Sequence, residues 1–325
     1  MNNSIILTGA GARERVLEAL SEVRVDAENW TATVGLRDVE GGSPAKLRPR
    51  LVGAMYEVLH MGRAEEKDLG RILREEDVEE TFADNQPHDT TPRRAHVLRR
   101  EDDGAVVDLG DVRVRVPEEL LPEDAASGSV AELALPASRP GLSRGFYLVD
   151  GPRGSTRGSA TGLRRIYIHL ADPESAGPVW REALRVLNDL GVRYRSKVLS
   201  HREGYPRRDA LVVYLERNDA DLAHDVAEAV AGMPGILDEV STFAHRIADG
   251  VAVADEPRDP RPQYRELSFG EHRCTVVANA LVRHAEDPGP GFDELLTAEC
   301  ARAGVDPDTF AFNAVPTGDD NFDHS

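Results

Sequence analysis

Lys197 stands in a run, Arg193-Tyr194-Arg195-Ser196-Lys197-Val198-Leu199, whose residue types suit acid–base chemistry beside an anion. The chain holds 36 arginines and only three lysines, Lys46, Lys67 and Lys197. Against that background a lysine among arginines is the more informative residue. Arginine forks hold a phosphate dianion through paired hydrogen bonds. A lysine crowded by guanidinium groups has its charged form disfavoured, which moves the amine toward the range of a useful general base. A histidine can then protonate a departing oxygen, and His169 closes the run Arg164-Arg165-Ile166-Tyr167-Ile168-His169. The segment Gly204-Tyr205-Pro206-Arg207-Arg208-Asp209 follows with two more arginines. Together these residues would suit proton abstraction next to a phosphate.

Two strands and a helix must position them. Side chains alternate across a strand. Over 163–170 this puts Arg165, Tyr167 and His169 on one face and Ile166, Ile168 and Leu170 on the other; over 192–199 it aligns Arg193, Arg195 and Lys197. Between them Trp180, Leu184, Leu187 and Leu190 recur at helical spacing, with Pro178 in the expected first turn and Gly191 as the stop. Strand, helix and strand in succession read as a crossover unit. It is expected to bring Arg165, Tyr167, His169, Arg195 and Lys197 onto one open sheet face. The bland alternative is a solvated sheet face. Arg207 and Arg208 cannot both point to one side of a regular strand; Arg207, in step with Tyr205 and Asp209, is the expected contributor. Tyr205 and Asp209 would equally serve to fix the turn.

Composition narrows the function class. The formal net charge of −19 over 325 residues favours solubility and opposes nonspecific nucleic-acid binding. Within 163–208, however, ten basic residues face five acidic ones. A basic island in an acidic chain suits a local anionic ligand such as a phosphate group. Cys274 and Cys300 make neither a disulfide framework nor a metal cluster, and reduced thiols of a cytoplasmic protein are expected. No basic segment precedes Ile5-Ile6-Leu7 to make a signal peptide, and no run spans a bilayer. HExxH, CxxC, GxSxG and P-loop patterns are all missing, so the site is expected to need no metal and no cofactor.

Along the chain, residues 1–100 read as a mostly helical N-terminal region, with amphipathic stretches at 12–23 and 51–61. Gly9-Ala10-Gly11 lacks the third glycine of a dinucleotide loop, because position 14 is Glu, and reads as a turn. Residues 64–104 form a charged connecting segment with room for one short helix. Residues 101–325 read as a larger domain. It opens on a hairpin over 104–117, followed by a Pro- and Ser-rich loop over 120–141. The turn Asp150-Gly151-Pro152-Arg153-Gly154 and the following Ser155-Thr156-Arg157-Gly158-Ser159 could cradle a phosphate or form a hairpin tip. Helices are expected over 275–284 and 292–303. The fold class is α+β: a helical N-terminal region plus a twisted mixed sheet with flanking helices.

Ser268-Phe269-Gly270-Glu271-His272-Arg273-Cys274, together with Arg195-Ser196-Lys197-Val198-Leu199 and Tyr205-x-Arg207-x-Asp209, resembles the HopA-type family over roughly residues 140–285. That family includes a type III effector of plant-pathogenic bacteria and the lyase component of class V lanthipeptide synthetases. The resemblance implies a phosphothreonine-lyase-like fold and β-elimination of phosphate from phosphoserine or phosphothreonine in a ribosomal precursor peptide, giving dehydroalanine or dehydrobutyrine. It also implies a Ser/Thr kinase as partner protein. Carried onto this sequence, Lys197 is the base and His169 the acid. Arg165, Arg195 and Arg207 hold the phosphate, Tyr205 and Tyr167 complete the substrate-binding set, and Arg193 and Arg208 support them. Asparagine is common in the family where His169 stands, which keeps His201, His272 or a tyrosine open as the acid. Two other classes remain: a phosphopeptide-binding module without turnover, and an effector-like interaction protein.

Overall fold

A computed structural model of the chain describes residues 12–64, 74–110, 112–156 and 162–315. Gly9-Ala10-Gly11, Lys67 and Arg157-Gly158-Ser159 lie outside the described residues. The chain begins with α1 (Ala12–Leu20) and continues into a three-stranded antiparallel meander, β1 (Val23–Asp26), β2 (Thr31–Val34) and β3 (Arg37–Glu40). Next come α2 (Pro44–Met55) and a π-helical segment, Tyr56–Met61, stopped by Gly62 in the left-handed region. The helical reading of this region misses the meander. Its strands are four residues each, too short for a two-residue period to register, and Ala32, Val34 and Val39 turn inward only because helices lie there to receive them.

After α3 (Glu76–Asn85), the strands β4 (Thr90–Glu101), β5 (Gly104–Asp108), β6 (Arg113–Pro117) and β7 (Val130–Pro136) make a sheet ordered β6-β5-β4-β7. It closes its own small core around Val97, Val107, Val116 and Leu133. The expected hairpin is β5–β6. The expected loop over 120–141 instead contains β7, where Ala131 and Leu133 alternate inward between proline- and serine-rich flanks that hide the pattern. This sheet straddles residue 100, since β4 pairs with β5 as far as Glu101 and Gly104.

The central sheet is formed by β8 (Phe146–Asp150), β9 (Leu163–Leu170), β10 (Tyr194–Leu199), β11 (Arg207–Glu216), β12 (His245–Ala248) and β13 (Val251–Asp255), in the order β12-β13-β9-β11-β10-β8. Every neighbouring pair is antiparallel. The crossover through α4 (Pro173–Asp189) does run between strands parallel to each other, β9 and β10, but β11 folds back from β10 and takes the place between them. α4 starts earlier than expected. Asp172 accepts a hydrogen bond from the Ser175 amide at 2.7 Å, and Pro173 occupies the first turn. Trp180, Leu184 and Leu187 are fully buried, as their spacing predicts. α5 (Ala223–Val230), α6 (Phe269–Glu286) and α7 (Phe292–Ala303) complete the chain.

Both faces of the sheet are apolar enough to be covered, each buried Val- or Leu-sized side chain contributing about 1.5–3 kcal/mol. Ile166, Ile168, Val198 and Val213 pack under α3, α4 and α5. On the other face Tyr167, Val212, Ala252 and Ala254 lie with α6 and α2 in a second core. The register puts Arg165, Tyr214 and Arg195 in one row, and Tyr167, Val212 and Lys197 in the next. The alternation read from sequence is therefore present, but the face is not open. Arg165, Tyr167 and His169 are only 8%, 3% and 7% exposed, because helices cover that half. Arg195 and Lys197, farther along the sheet, keep partial exposure. Among the described residues no helix is long and apolar enough to cross a membrane, and no group of acidic, histidine and cysteine side chains is placed to hold a metal. Cys274 and Cys300 are free and buried, which raises both thiols, Cys300 to about 12.

Candidate active site

Phe146, the first residue of β8, forms an aromatic floor. Lys197 Nζ stands 4.2 Å from the centre of its ring, and the Arg207 guanidinium carbon stands 5.4 Å from the same point. Both distances are cation–π contacts and leave the two cations no more than 9.6 Å apart.

Arg207 is held from below. Its fork closes on the Asp209 carboxylate, with Nη2 to Oδ2 at 2.9 Å, and Nη2 also donates to Tyr56 Oη at 3.3 Å. Asp209 in turn lies 3.5 Å from His60 Nε2, and His60 Nδ1 is 2.8 Å from Ser241 Oγ. Burial would raise the Asp209 carboxyl, but the Arg207 guanidinium overrides it and holds the group well below the usual carboxylate range. Burial also opposes the charge on Arg207, and Asp209 more than compensates, so that arginine stays cationic. Nη1 of Arg207 has no hydrogen-bond partner among the described residues.

Arg63, just past the π-helical segment, reaches the same place and donates to the Gly204 carbonyl at 2.5 Å. Burial, with the like charge of Arg207 nearby, pulls its guanidinium below the usual value. His201 is 3% exposed, and burial followed by the charge of Arg63 lowers its imidazole. Gly204 permits this closeness: a Cβ there would stand 2.5 Å from Leu199 Cδ2 and 3.0 Å from His201 Nε2. The like charges of Arg63 and Arg207 at this half-buried place are offset in part by Asp209 and Glu57.

The structure sorts the residues picked out from sequence. It brings Lys197 and Arg207 to the Phe146 ring, with His201 near Arg63 and Arg207. Arg165 is elsewhere engaged, its fork closed on Glu256 at 2.5 and 2.6 Å and its guanidinium over Tyr214. Arg195 is tied to Asp150 at 2.8 Å, and Arg139 meets the same carboxylate at 3.2 Å. Tyr205 donates to the Leu199 carbonyl at 2.8 Å and so clasps the turn. Tyr167 is a core ring against His60 and Phe269. His169 bonds the Glu239 carbonyl through Nδ1 at 2.9 Å, beside a cavity of about 520 Å³ that Arg208 and Glu239 line. His272 has both ring nitrogens occupied, Nε2 by Asp259 at 2.9 Å and Nδ1 by Arg273 at 2.7 Å. Burial and Arg273 push it down to about 4, and it has no nitrogen left for a substrate.

One expectation is corrected outright. Arg207 and Arg208 both reach the π-helical segment, Arg207 at Tyr56 Oη and Arg208 at the Leu59 carbonyl. The pairing of β11 with β9 slips between Arg207 and Leu211, and this irregularity breaks the alternation. Arg208 also pairs with Glu239. Arg193 is exposed and lines a different cleft.

Sequence reasoning missed Tyr56, His60 and Arg63. Tyr56 and His60 are four residues apart within an apolar helical pattern, which places two polar rings on one buried side. That they meet Asp209 is a tertiary fact. Conversely, the Ser268–Cys274 segment is architectural. Ser268 and Glu271 form a reciprocal cap at the start of α6, and the fully buried Arg273 donates to the Phe310 carbonyl at 2.5 Å.

The architecture is thus an α+β fold built on an antiparallel sheet between two helical layers. The chain belongs to the HopA1 effector protein family, whose model matches residues 137–312. Two solved effector structures from Pseudomonas syringae are similar. The effector of pv. tomato strain DC3000 is 15% identical, with a TM-score of 0.51 over 94% of this chain and 96% of that one. The effector of pv. syringae strain 61 is 17% identical, with a TM-score of 0.46 over 81% and 90%. At such identity the first of these is a likeness of fold. No curated protein matches the chain. Lys197, Arg207 and His201 fall inside the family match, whereas Tyr56, His60 and Arg63 precede it.

Proposed function

We propose that the chain is a carbon–oxygen lyase that eliminates phosphate from phosphoserine or phosphothreonine in a peptide. The observation that carries this reading is the pair of cations on Phe146, Lys197 and Arg207, with Arg63 and His201 at their side. Arg207 and Arg63 grip the phosphate dianion. Lys197 Nζ takes the Cα proton. The electrons of the Cα–H bond become the Cα=Cβ bond. The Cβ–O bond breaks with its pair on the phosphate oxygen, which receives a proton from His201. Dehydroalanine or dehydrobutyrine and hydrogen phosphate leave. His201 is the acid in this scheme because it adjoins Arg63 and Arg207, whereas His169 faces Glu239 and Arg208 and His272 is fully bonded. A bound dianion would raise the His201 imidazole from its depressed value, so that the substrate itself loads the acid.

In this reading, as the HopA-type resemblance of the sequence implies, the substrate is a ribosomal precursor peptide and a Ser/Thr kinase is the protein that phosphorylates it. The Lys197–Phe146 contact also suits a second reading, a module that holds the phosphopeptide without turnover. Incubation with a phosphothreonine peptide followed by mass spectrometry separates the two. The lyase produces a peptide lighter by phosphoric acid. A peptide recovered with its phosphate intact, from protein that binds it, refutes the lyase and leaves the binder.

A further inference from the structure

A second basic cleft lies beyond the Lys197 site, and no step of the proposed chemistry uses it. It has a volume of about 410 Å³, and three separate elements converge on it. β4 contributes Arg93 and Arg94, the turn after β8 contributes Arg153, and the residue before β10 contributes Arg193. Glu132 is the one acidic residue in its lining. It sits opposite Arg94 across β4 and β7 but makes no ion pair with it. None of the four arginines closes on a carboxylate among the described residues. Arg37, Arg139, Arg164, Arg165 and Arg195, by contrast, each meet one. In a chain where 58 acidic residues face 39 basic ones, four neighbouring arginines left without a carboxylate are out of balance with their surroundings.

The floor of the cleft is built to let the guanidinium groups approach. Thr91 Oγ1 donates to the Gly151 carbonyl at 2.7 Å and pins the turn to β4. Gly154 has φ of +104°, and a Cβ there would stand 3.3 Å from Arg193 Nη1. Only glycine allows both that backbone and that contact without displacement.

Arg193 stands immediately before β10 and Lys197 four residues on, hence roughly 13 Å away along an extended backbone. An extended peptide carries side chains four residues apart on one side at the same spacing. The geometry points to the cleft as a binding site for a second phosphorylated side chain, four residues from the one that reacts at Lys197. Three net positive charges among the lining residues match a dianion better than a lone carboxylate. The substrate class is then a multiply phosphorylated peptide, and the cleft selects it. This inference rests on the reading of the Lys197 site as the place where a phosphorylated residue binds.

The test compares two synthetic peptides on the full chain, one with a single phosphothreonine and one with two, four residues apart. Binding is measured by fluorescence anisotropy with the Lys197→Ala protein, and elimination by mass spectrometry with the unaltered one. The doubly phosphorylated peptide should bind about tenfold tighter. The double variant Arg93→Gln/Arg153→Gln, made at two exposed positions, should erase that advantage and leave the single-phosphate peptide unaffected. Inorganic phosphate at millimolar concentration should narrow the gap only in protein with the cleft intact. An advantage that survives the double variant, or that stays equal when the second phosphate moves to two residues away, overturns the inference. Equal affinity for both peptides does so as well. Failure of the lyase reading shows separately, as no elimination from either peptide while the binding arm still reports on the cleft.

Discussion

Replacing Asp209 by Asn removes the charge that keeps Arg207 in place, and the cost follows from burial. The two side chains are 7% and 11% exposed, and the carboxylate takes both a fork contact from Arg207 and the approach of His60. Removing one partner of a buried pair leaves an uncompensated charge, which costs about 3–5 kcal/mol. Asn keeps the shape and one acceptor, so the lower end, about 3 kcal/mol, is expected at pH 7. Urea unfolding of the unaltered chain, Asp209→Asn, Arg207→Met and the double variant gives the coupling directly. Because Arg207→Met removes the stranded cation, the double variant should recover part of the loss. The pH dependence has a definite sign. The Asp209 carboxyl is depressed in the folded chain, so its contribution is complete above the unfolded carboxylate range near pH 4. It is lost as pH falls through the lower folded value. The stability gap between unaltered chain and Asp209→Asn should therefore narrow only below about pH 4. A loss under about 1 kcal/mol, additive effects in the double variant, or a gap that narrows between pH 5 and 7 would refute the reasoning.

Lys197→Ala should lower the rate of elimination by about 10²–10⁴ while leaving phosphopeptide affinity within a few-fold, read by mass spectrometry and anisotropy together. An unchanged rate removes Lys197 as the base. In the unaltered chain the limb of kcat/KM that falls with rising pH should lie below the ordinary histidine value of about 6.5, since burial and Arg63 depress His201 in the free protein. His201→Asn should abolish that limb, and a limb that persists unchanged assigns the acid elsewhere. Ser268→Ala should cost about 1 kcal/mol through loss of the cap at α6 and leave the elimination rate per folded molecule unaltered. A selective loss of rate would show that the segment does more than build the helix.

How much was legible in the sequence depended on how local the cause was. The alternation in Arg165-Ile166-Tyr167-Ile168-His169 specified a two-faced strand, because a strand's period is written in consecutive residues. The run Phe292–Ala303 was readable as a helix for the same reason. Lys197 and Arg207 lie on one chemical island, and the strands that carry them, β10 and β11, are sequence neighbours that pair. The meander over 23–40 was not legible, nor was β7, because short strands take their inward direction from whatever they pack against.

What the sequence determined by itself was the chemistry on offer: a scarce lysine, a local excess of arginine in an acidic chain, and no cofactor motif. Tertiary structure decided which partner each arginine took: Asp209 holds Arg207 through Nε and Nη2 beside Lys197 on the Phe146 ring. Glu256, Asp150 and Glu239 claim Arg165, Arg195 and Arg208, and each carboxylate reaches its arginine from another part of the chain. It also supplied Tyr56, His60 and Arg63, from a helical region more than a hundred residues upstream of Arg207. An ion pair depends on distance in space, and chain separation carries no such information once the backbone has folded back on itself.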